Sequence, residues 1–291
     1  MFKELTVLHR NFYHSFIISS WSLHKGMRAL LFEVMLLIEE NVWNIPLLIC
    51  FLILFGLYLF FITKIKSITI NPKQPILFLI GLSLLYLSTG SPLATLSHLS
   101  FSTHMLQMSV QYFIIPPLLL LGGFSLISYT SKIIKINNFP LAPKASLVIF
   151  AGLFLVYHLP IASYFLSQNS TVQNIYMTLL LLFSLRMWWP IISTFYTKQE
   201  KKSYALLSAI LISPACLMFI LYALIDETQN PFLNHSIAHL CVSPQFMSHL
   251  LPSIFNTKYD QMIAGTLMLG VHKLGIILTF LLRYHDKVEK E

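Results

Sequence analysis

Histidine, methionine and cysteine side chains recur in this sequence at positions where a soft metal ion could be bound. His104 and Met108 stand four residues apart in the stretch His104-Met105-Leu106-Gln107-Met108, a spacing that puts both on one face of a helix. His98 precedes them and Tyr157-His158 follows. Thioether and thiolate ligands select Cu(I), and imidazole suits both Cu(I) and Cu(II). Carboxylates are almost absent around these residues, which disfavours calcium, magnesium and manganese. A His-x-x-x-Met pair is half of a copper site. It needs a third ligand from another helix, for which His98 and His158 are the candidates, with Met105 beside the pair. Tyr176-Met177, Asp260-Gln261-Met262 and the 226–259 segment, with His235, His239, Cys241, Met247 and His249, add further donors. A structural reading stays open for each: methionine fills gaps between apolar helices, and a buried histidine bonds a carbonyl. His272 lies in the middle of the last apolar segment beside Lys273. Ionisable groups at that depth are functional or paired, and a helix–helix hydrogen bond is the plain alternative. No nucleotide-binding loop, Ser-His-Asp order, HExxH motif or carboxylate pair is present, so hydrolytic chemistry has no support and no enzyme is expected.

The elements that must carry these residues are membrane helices. Of 291 residues, 56% are hydrophobic and 10% charged, against about 25% charged in a soluble domain. The apolar residues form continuous runs, not the short alternating strands of a barrel. The expected fold is all-α: a polytopic membrane helical bundle with about seven transmembrane helices. A bilayer core of about 30 Å takes roughly 20 apolar residues per helix. Spans are expected near 44–62, 75–90, 103–121, 145–165, 172–193, 203–225 and 261–282. Pro116 and Pro117 should kink the third, and Pro190 ends the fifth. Trp188-Trp189-Pro190 reads as an interfacial aromatic belt.

The loops orient the bundle. Segment 63–74 carries Lys64, Lys66 and Lys73, segment 122–144 carries Lys132, Lys135 and Lys144, and segment 194–202 carries Lys198, Lys201 and Lys202 against Glu200. The alternate loops, 91–102 and 166–171, carry no Lys or Arg. The basic loops are therefore expected in the cytoplasm. That puts the N-terminus of the first span outside, the C-terminus inside and most candidate ligands at the outer end. The net charge of +8 has the same origin, and nucleic acid is not an expected partner. Cys50, Cys216 and Cys241 form no CxxC motif and no disulfide framework. Three parts are expected: an N-terminal extension over 1–43, the membrane domain over 44–282 and a charged cytoplasmic tail over 283–291. An eighth span over 12–38 would bury Lys25, Arg28 and Glu33, at about 2.5–3.5 kcal/mol per central charge. An interfacial helix over 26–40, or an over-extended start with Met27 as the true first residue, is the alternative.

Several blocks resemble the CtaG family, membrane proteins required for assembly of haem–copper cytochrome c oxidases. They are Ser91-Pro92-Leu93, Phe101-Ser102-Thr103-His104-Met105-Leu106-Gln107-Met108 and Pro116-Pro117-Leu118-Leu119. Tyr157-His158-Leu159-Pro160, Met187-Trp188-Trp189-Pro190, and Asp260-Gln261 followed by Ala264-Gly265 and Met268 agree as well. The resemblance covers roughly residues 44–282 with block order preserved. It implies an assembly factor in the bacterial plasma membrane. Such a factor would help insert copper at the outer face, with cytochrome c oxidase subunits and the lipid bilayer as partners and self-association left open. His104 and Met108 would hold Cu(I), completed by His98 or His158. A metal-free scaffold for oxidase subunits is the rival reading, and a transporter centred on His272 ranks last. This chain departs from the family where many members carry further histidines: Met108, Gln173 and Met177 stand at such positions. Gln261-Met262 replaces paired glutamines, and His272-Lys273 stands where other members carry Gln-Glu.

Overall fold

The computed structural model describes residues 43–65, 71–97, 100–133, 142–225 and 258–288. The chain divides into two compact units, Met1–Trp43 and Asn44–Glu291, and every helix below belongs to the second. The expectations for the N-terminal extension, His98 and the 226–257 donors lie outside the described residues.

Helix α1 spans Ile45–Lys64, α2 Lys73–Thr89, α3 Pro92–Leu96 and α4 Phe101–Ser109. A π-helical turn, Val110–Ile114, joins α4 to α5, Ile115–Gly122. Then come α6 (Phe124–Ile133), α7 (Pro143–Tyr157), α8 (Pro160–Ser167), α9 (Ser170–Ile192), α10 (Lys198–Leu224) and α11 (Lys258–Val288). Among the described residues there is no strand. Local chemistry sets several starts. The Asn44 side chain accepts from the Leu47 N–H at 3.0 Å ahead of a first-turn proline. Thr197 and Glu200 form a reciprocal capping box at the start of α10.

Five helices are long and apolar enough to cross a membrane: Ile45–Lys64, Phe101–Gly122, Ser170–Ile192, Lys198–Leu224 and Lys258–Arg283. The expected unbroken span over 145–165 is two helices, Pro143–Tyr157 and a segment beginning at Pro160, bent by 75°. The cause is Pro160, which lacks an N–H and forces the residue before it out of the α region; Leu159 sits at φ −75°, ψ 134°. Counting that pair as one crossing gives six, and α2, with 17 residues, is apolar but shorter.

The expected kink in the third span takes a specific form. Pro116 and Pro117 cannot donate to the carbonyls of Tyr112 and Phe113, four residues earlier. The turn widens instead, and the Ile115 N–H bonds Val110 O. The Tyr112 carbonyl then accepts from Ser184 Oγ at 2.5 Å and from Trp188 Nε1 at 3.0 Å. The Phe113 carbonyl faces Gly275 of α11, where any Cβ would run into it. Trp188 is thus a core residue, 1% exposed, and not the interfacial belt expected of it. Its indole N–H completes a backbone that two prolines left open.

The core is aromatic. Tyr112, Phe113, Phe150, Phe154 and Phe219 are fully buried, and the rings of Phe113 and Phe154 meet edge to face at 5.5 Å. Gly265 brings α11 against α10, since a Cβ there would lie 2.6 Å from Cys216 O. The two ends of the bundle differ. One gathers the start of α1, hydrogen-bonded to Gly90, and the starts of α4 and α11. The other gathers Tyr204, which donates to the carbonyls of Met187 and Pro143, and Lys201, whose ammonium caps the Ser193 carbonyl at the end of α9.

Candidate functional site

The candidate site lies at the end where α4 and α11 begin, α7 stops and α9 starts. Two cap groups hold the start of α4. The Ser100 side chain accepts from the Thr103 N–H at 3.2 Å. Asp260, from the first turn of α11, accepts from the Phe101 N–H at 2.8 Å and the Ser102 N–H at 3.2 Å. A carboxylate on the first amides of a helix satisfies donors that have no intrahelical partner and sits at the positive end of the macrodipole. Asp260 is therefore a clasp between α4 and α11. Gln107, one turn after His104, bonds the Ser88 carbonyl of α2.

The clasp sets the rotation of α4. Met105 and Met108 turn into the bundle, 5% and 2% exposed, and join one buried cluster with Phe154, Tyr157, Phe219 and Met268. His104 is half-buried, and its Nε2 lies 3.3 Å from the Tyr157 hydroxyl. The Gln173 side chain hydrogen-bonds the same hydroxyl. The Tyr157 ring stacks on Tyr176 at 6.0 Å. Tyr112 donates to Met177 Sδ at 3.2 Å and to its carbonyl at 3.3 Å. Gln173 thus meets the same tyrosine as His104, and Met177 meets Tyr112. Here they act as hydrogen-bond partners of Tyr157 and Tyr112.

His158 is the most distinctive donor. It follows the last residue of α7, where the helix tightens: its own N–H bonds Leu155 O and the Leu159 N–H bonds Val156 O. That shift leaves the Phe154 carbonyl without its usual backbone partner. The His158 ring takes it, with Nδ1 2.5 Å from Phe154 O. A carbonyl only accepts, so in the neutral ring the proton is on Nδ1 and Nε2 carries a lone pair. That Nε2 is buried with no hydrogen-bond partner, and the residue is 2% exposed. A backbone-anchored Nδ1–H with a free Nε2 is the arrangement that orients an imidazole as a metal ligand. Phe154, Tyr157 and Phe219 enclose the ring, with centroids at 4.4, 5.2 and 5.4 Å.

His272 lies deeper in α11. It is 2% exposed and its ring sits edge-on to Phe113 at 4.8 Å. Its Nε2 is also buried without a hydrogen-bond partner, so the helix–helix hydrogen bond expected as its plain role is not made through that atom. Cys216 is buried and Cys50 exposed, both as free thiols. Among the described residues, no three His, Cys, Asp or Glu side chains form a group placed to hold a metal ion. A three-ligand soft-metal site among the described residues would therefore need a methionine thioether, and Met105 and Met108 are buried at this end. The buried imidazole of His158 and the buried thioethers of Met105 and Met108 fit Cu(I) in kind.

Sequence reading missed the role of Asp260 and the partners of Tyr112. The first had a signal, a lone acid opening an apolar helix. The second had one too, since the Pro116-Pro117 pair announces two orphaned carbonyls.

No curated protein and no solved structure matches the chain. A family model described as cytochrome c oxidase caa3 assembly factor matches residues 56–284. With most of its length matched in that way, the chain belongs to the caa3-type cytochrome c oxidase assembly factor family, Caa3_CtaG.

Proposed function

We propose that this protein assists cytochrome c oxidase assembly by holding Cu(I) at the outer end of its bundle and passing it to an oxidase subunit. The observation that carries the reading is His158 Nε2, a buried imidazole nitrogen that is pre-oriented and has no hydrogen-bond partner. Met108 and Met105 supply soft sulfur in the buried cluster that also holds Phe154, Tyr157 and Phe219, the residues whose rings surround His158, and His104 is a further imidazole, beside Tyr157. The bundle crosses the bacterial plasma membrane seven times: five long helices, the bent α7–α8 pair and α2. Its lysine-rich loops lie in the cytoplasm, with the start of α1 outside and the end of α11 inside. Copper is cargo in this reading, and the protein catalyses no reaction.

The test is stoichiometric Cu(I) loading of the detergent-purified protein. Wild type should take up one tight equivalent, and His158→Ala and His104→Ala should each lose it. Gln173→His with Met177→His should tighten binding, because each places an imidazole beside a tyrosine of this end, Tyr157 and Tyr112. Wild-type uptake by both alanine variants refutes the site.

A second reading, a metal-free scaffold for oxidase subunits, draws on the structural work already done by the polar groups at this end. Asp260, Gln107 and Tyr157 all hold helices together there. Absence of any tight copper equivalent in wild type would favour it.

A further inference from the structure

The last helix has two faces. Gln261, Gly265, Met268, His272, Gly275 and Thr279 are buried and pack inward. The opposite face carries Thr266, Gly270, Lys273, Leu274 and Ile277, all exposed, at the i, i+4, i+7, i+8, i+11 spacing of a single helix stripe. In a membrane span that stripe faces lipid.

Lys273 does not belong in lipid. It lies midway along α11, thirteen residues from Asp260 and thirteen from Asp286 (260 to 273, 273 to 286). Each interval is about 20 Å of helix. A four-carbon stem cannot cover the ~15 Å from the bilayer centre to either headgroup layer. The side chain is nevertheless exposed, not turned into the bundle. Charges at this depth otherwise face protein or a water-filled cavity and are paired there. Glu200, the other described carboxylate, is occupied in its own cap at the start of α10.

Gly270 points the same way. A Cβ there would meet nothing within 4 Å, so its small size serves no packing among the described residues. Gly265 and Gly275, on the inner face, are both pressed against carbonyl oxygens. With Thr266 four residues before it, Gly270 forms a small-xxx-small step on the outer face. Such a step lets another helix backbone come close.

We propose that this face docks a transmembrane helix of a different polypeptide, one that carries a carboxylate at mid-membrane depth to pair with Lys273. A second copy of this chain does not suit. A two-fold contact through the face would set Lys273 against Lys273, and no described span carries a carboxylate near its middle. The proposal rests on the chain spanning a membrane and is independent of copper.

The test uses the full-length protein, donor-labelled and reconstituted in phosphatidylcholine vesicles under alkaline buffer. Its partners are acceptor-labelled Leu-rich peptides of about 20 residues with a central Glu, Gln or Lys. Energy transfer reads association. The Glu peptide should bind wild type about tenfold more tightly than the Lys peptide. Lys273→Leu should remove the preference and Lys273→Glu should invert it. Both changes fall on an exposed side chain, outside the buried face of α11. Gly270→Leu should weaken binding of the Glu peptide. Equal binding of Glu and Lys peptides to wild type overturns the proposal, and so does a Glu preference that survives Lys273→Leu. Undiminished binding to Gly270→Leu also refutes docking at this face.

Discussion

Removing both partners of the Tyr112 carbonyl should cost far more than removing either one. Ser184 Oγ and Trp188 Nε1 converge on that oxygen at 2.5 and 3.0 Å. Pro116 and Pro117 deny it any helical N–H. In Ser184→Ala the indole remains, and in Trp188→Phe the hydroxyl remains. Each lost bond should cost about 0.6 kcal/mol, the average for interhelical bonds inside membranes. Trp188→Phe adds a packing loss, which cancels in a double-mutant cycle. The double variant leaves a buried carbonyl unsatisfied, a penalty of about 1–3 kcal/mol. Coupling of about 0.4–2.4 kcal/mol beyond additivity should follow, because the second loss costs about 1–3 kcal/mol where alone it costs about 0.6. The assay is reversible unfolding in mixed micelles titrated with SDS, on wild type, both single variants and the double. A further arm makes the cause specific. Pro116→Ala restores an N–H four residues after Tyr112, so the same cycle in that background should show little coupling. Strict additivity in wild type, or undiminished coupling with Pro116→Ala, would refute the assignment of the clamp to the prolines.

Two further predictions concern the helix ends and contacts. Asp260→Ala should destabilise the protein by about 1 kcal/mol, as loss of a helix cap does. It should also raise hydrogen exchange at the Phe101 and Ser102 amides, while Asp260→Asn, keeping one acceptor oxygen, should do less of both. Gly265→Ala should cost about 1–3 kcal/mol by forcing α11 off Cys216. Gly152→Ala, with open space around it, should leave stability in the same micelle titration no lower than wild type.

The sequence-based expectations failed where a contact is remote in the chain. That the class is helical and that membrane-length spans recur follow from continuous apolar runs, each a local property. The gathering of His104, Met108, Tyr157, His158 and Tyr176 at one end also follows locally, from alternating helix direction and loop charge. The break at Leu159-Pro160 was legible in principle, because proline acts on its own neighbours, but an apolar run on both sides hides it from a hydropathy count. Trp188 shows the other kind of failure. Its neighbours Trp189 and Pro190 fit a membrane-interface belt, and nothing within its own segment points to a carbonyl 76 residues earlier. The anchoring of His158 belongs between these. A histidine four residues after Phe154 can reach that carbonyl only once Pro160 has spoiled the last turn, so the bond depends on the break.

The clasp by Asp260 also bears on how the molecule is made. It joins amides at Phe101 and Ser102 to a carboxylate 159 and 158 residues later in the chain. Ribosomes add about 5–20 residues per second. A nascent chain therefore carries α4 for about 10–30 s, at those rates, before the group that fixes its first turn emerges. During that interval α4 has its Ser100 cap and its Gln107 bond to α2 but lacks the clasp to α11. This end is completed by a segment synthesised late, so a chain truncated or stalled before α11 would carry most of its helices without the Asp260 clasp.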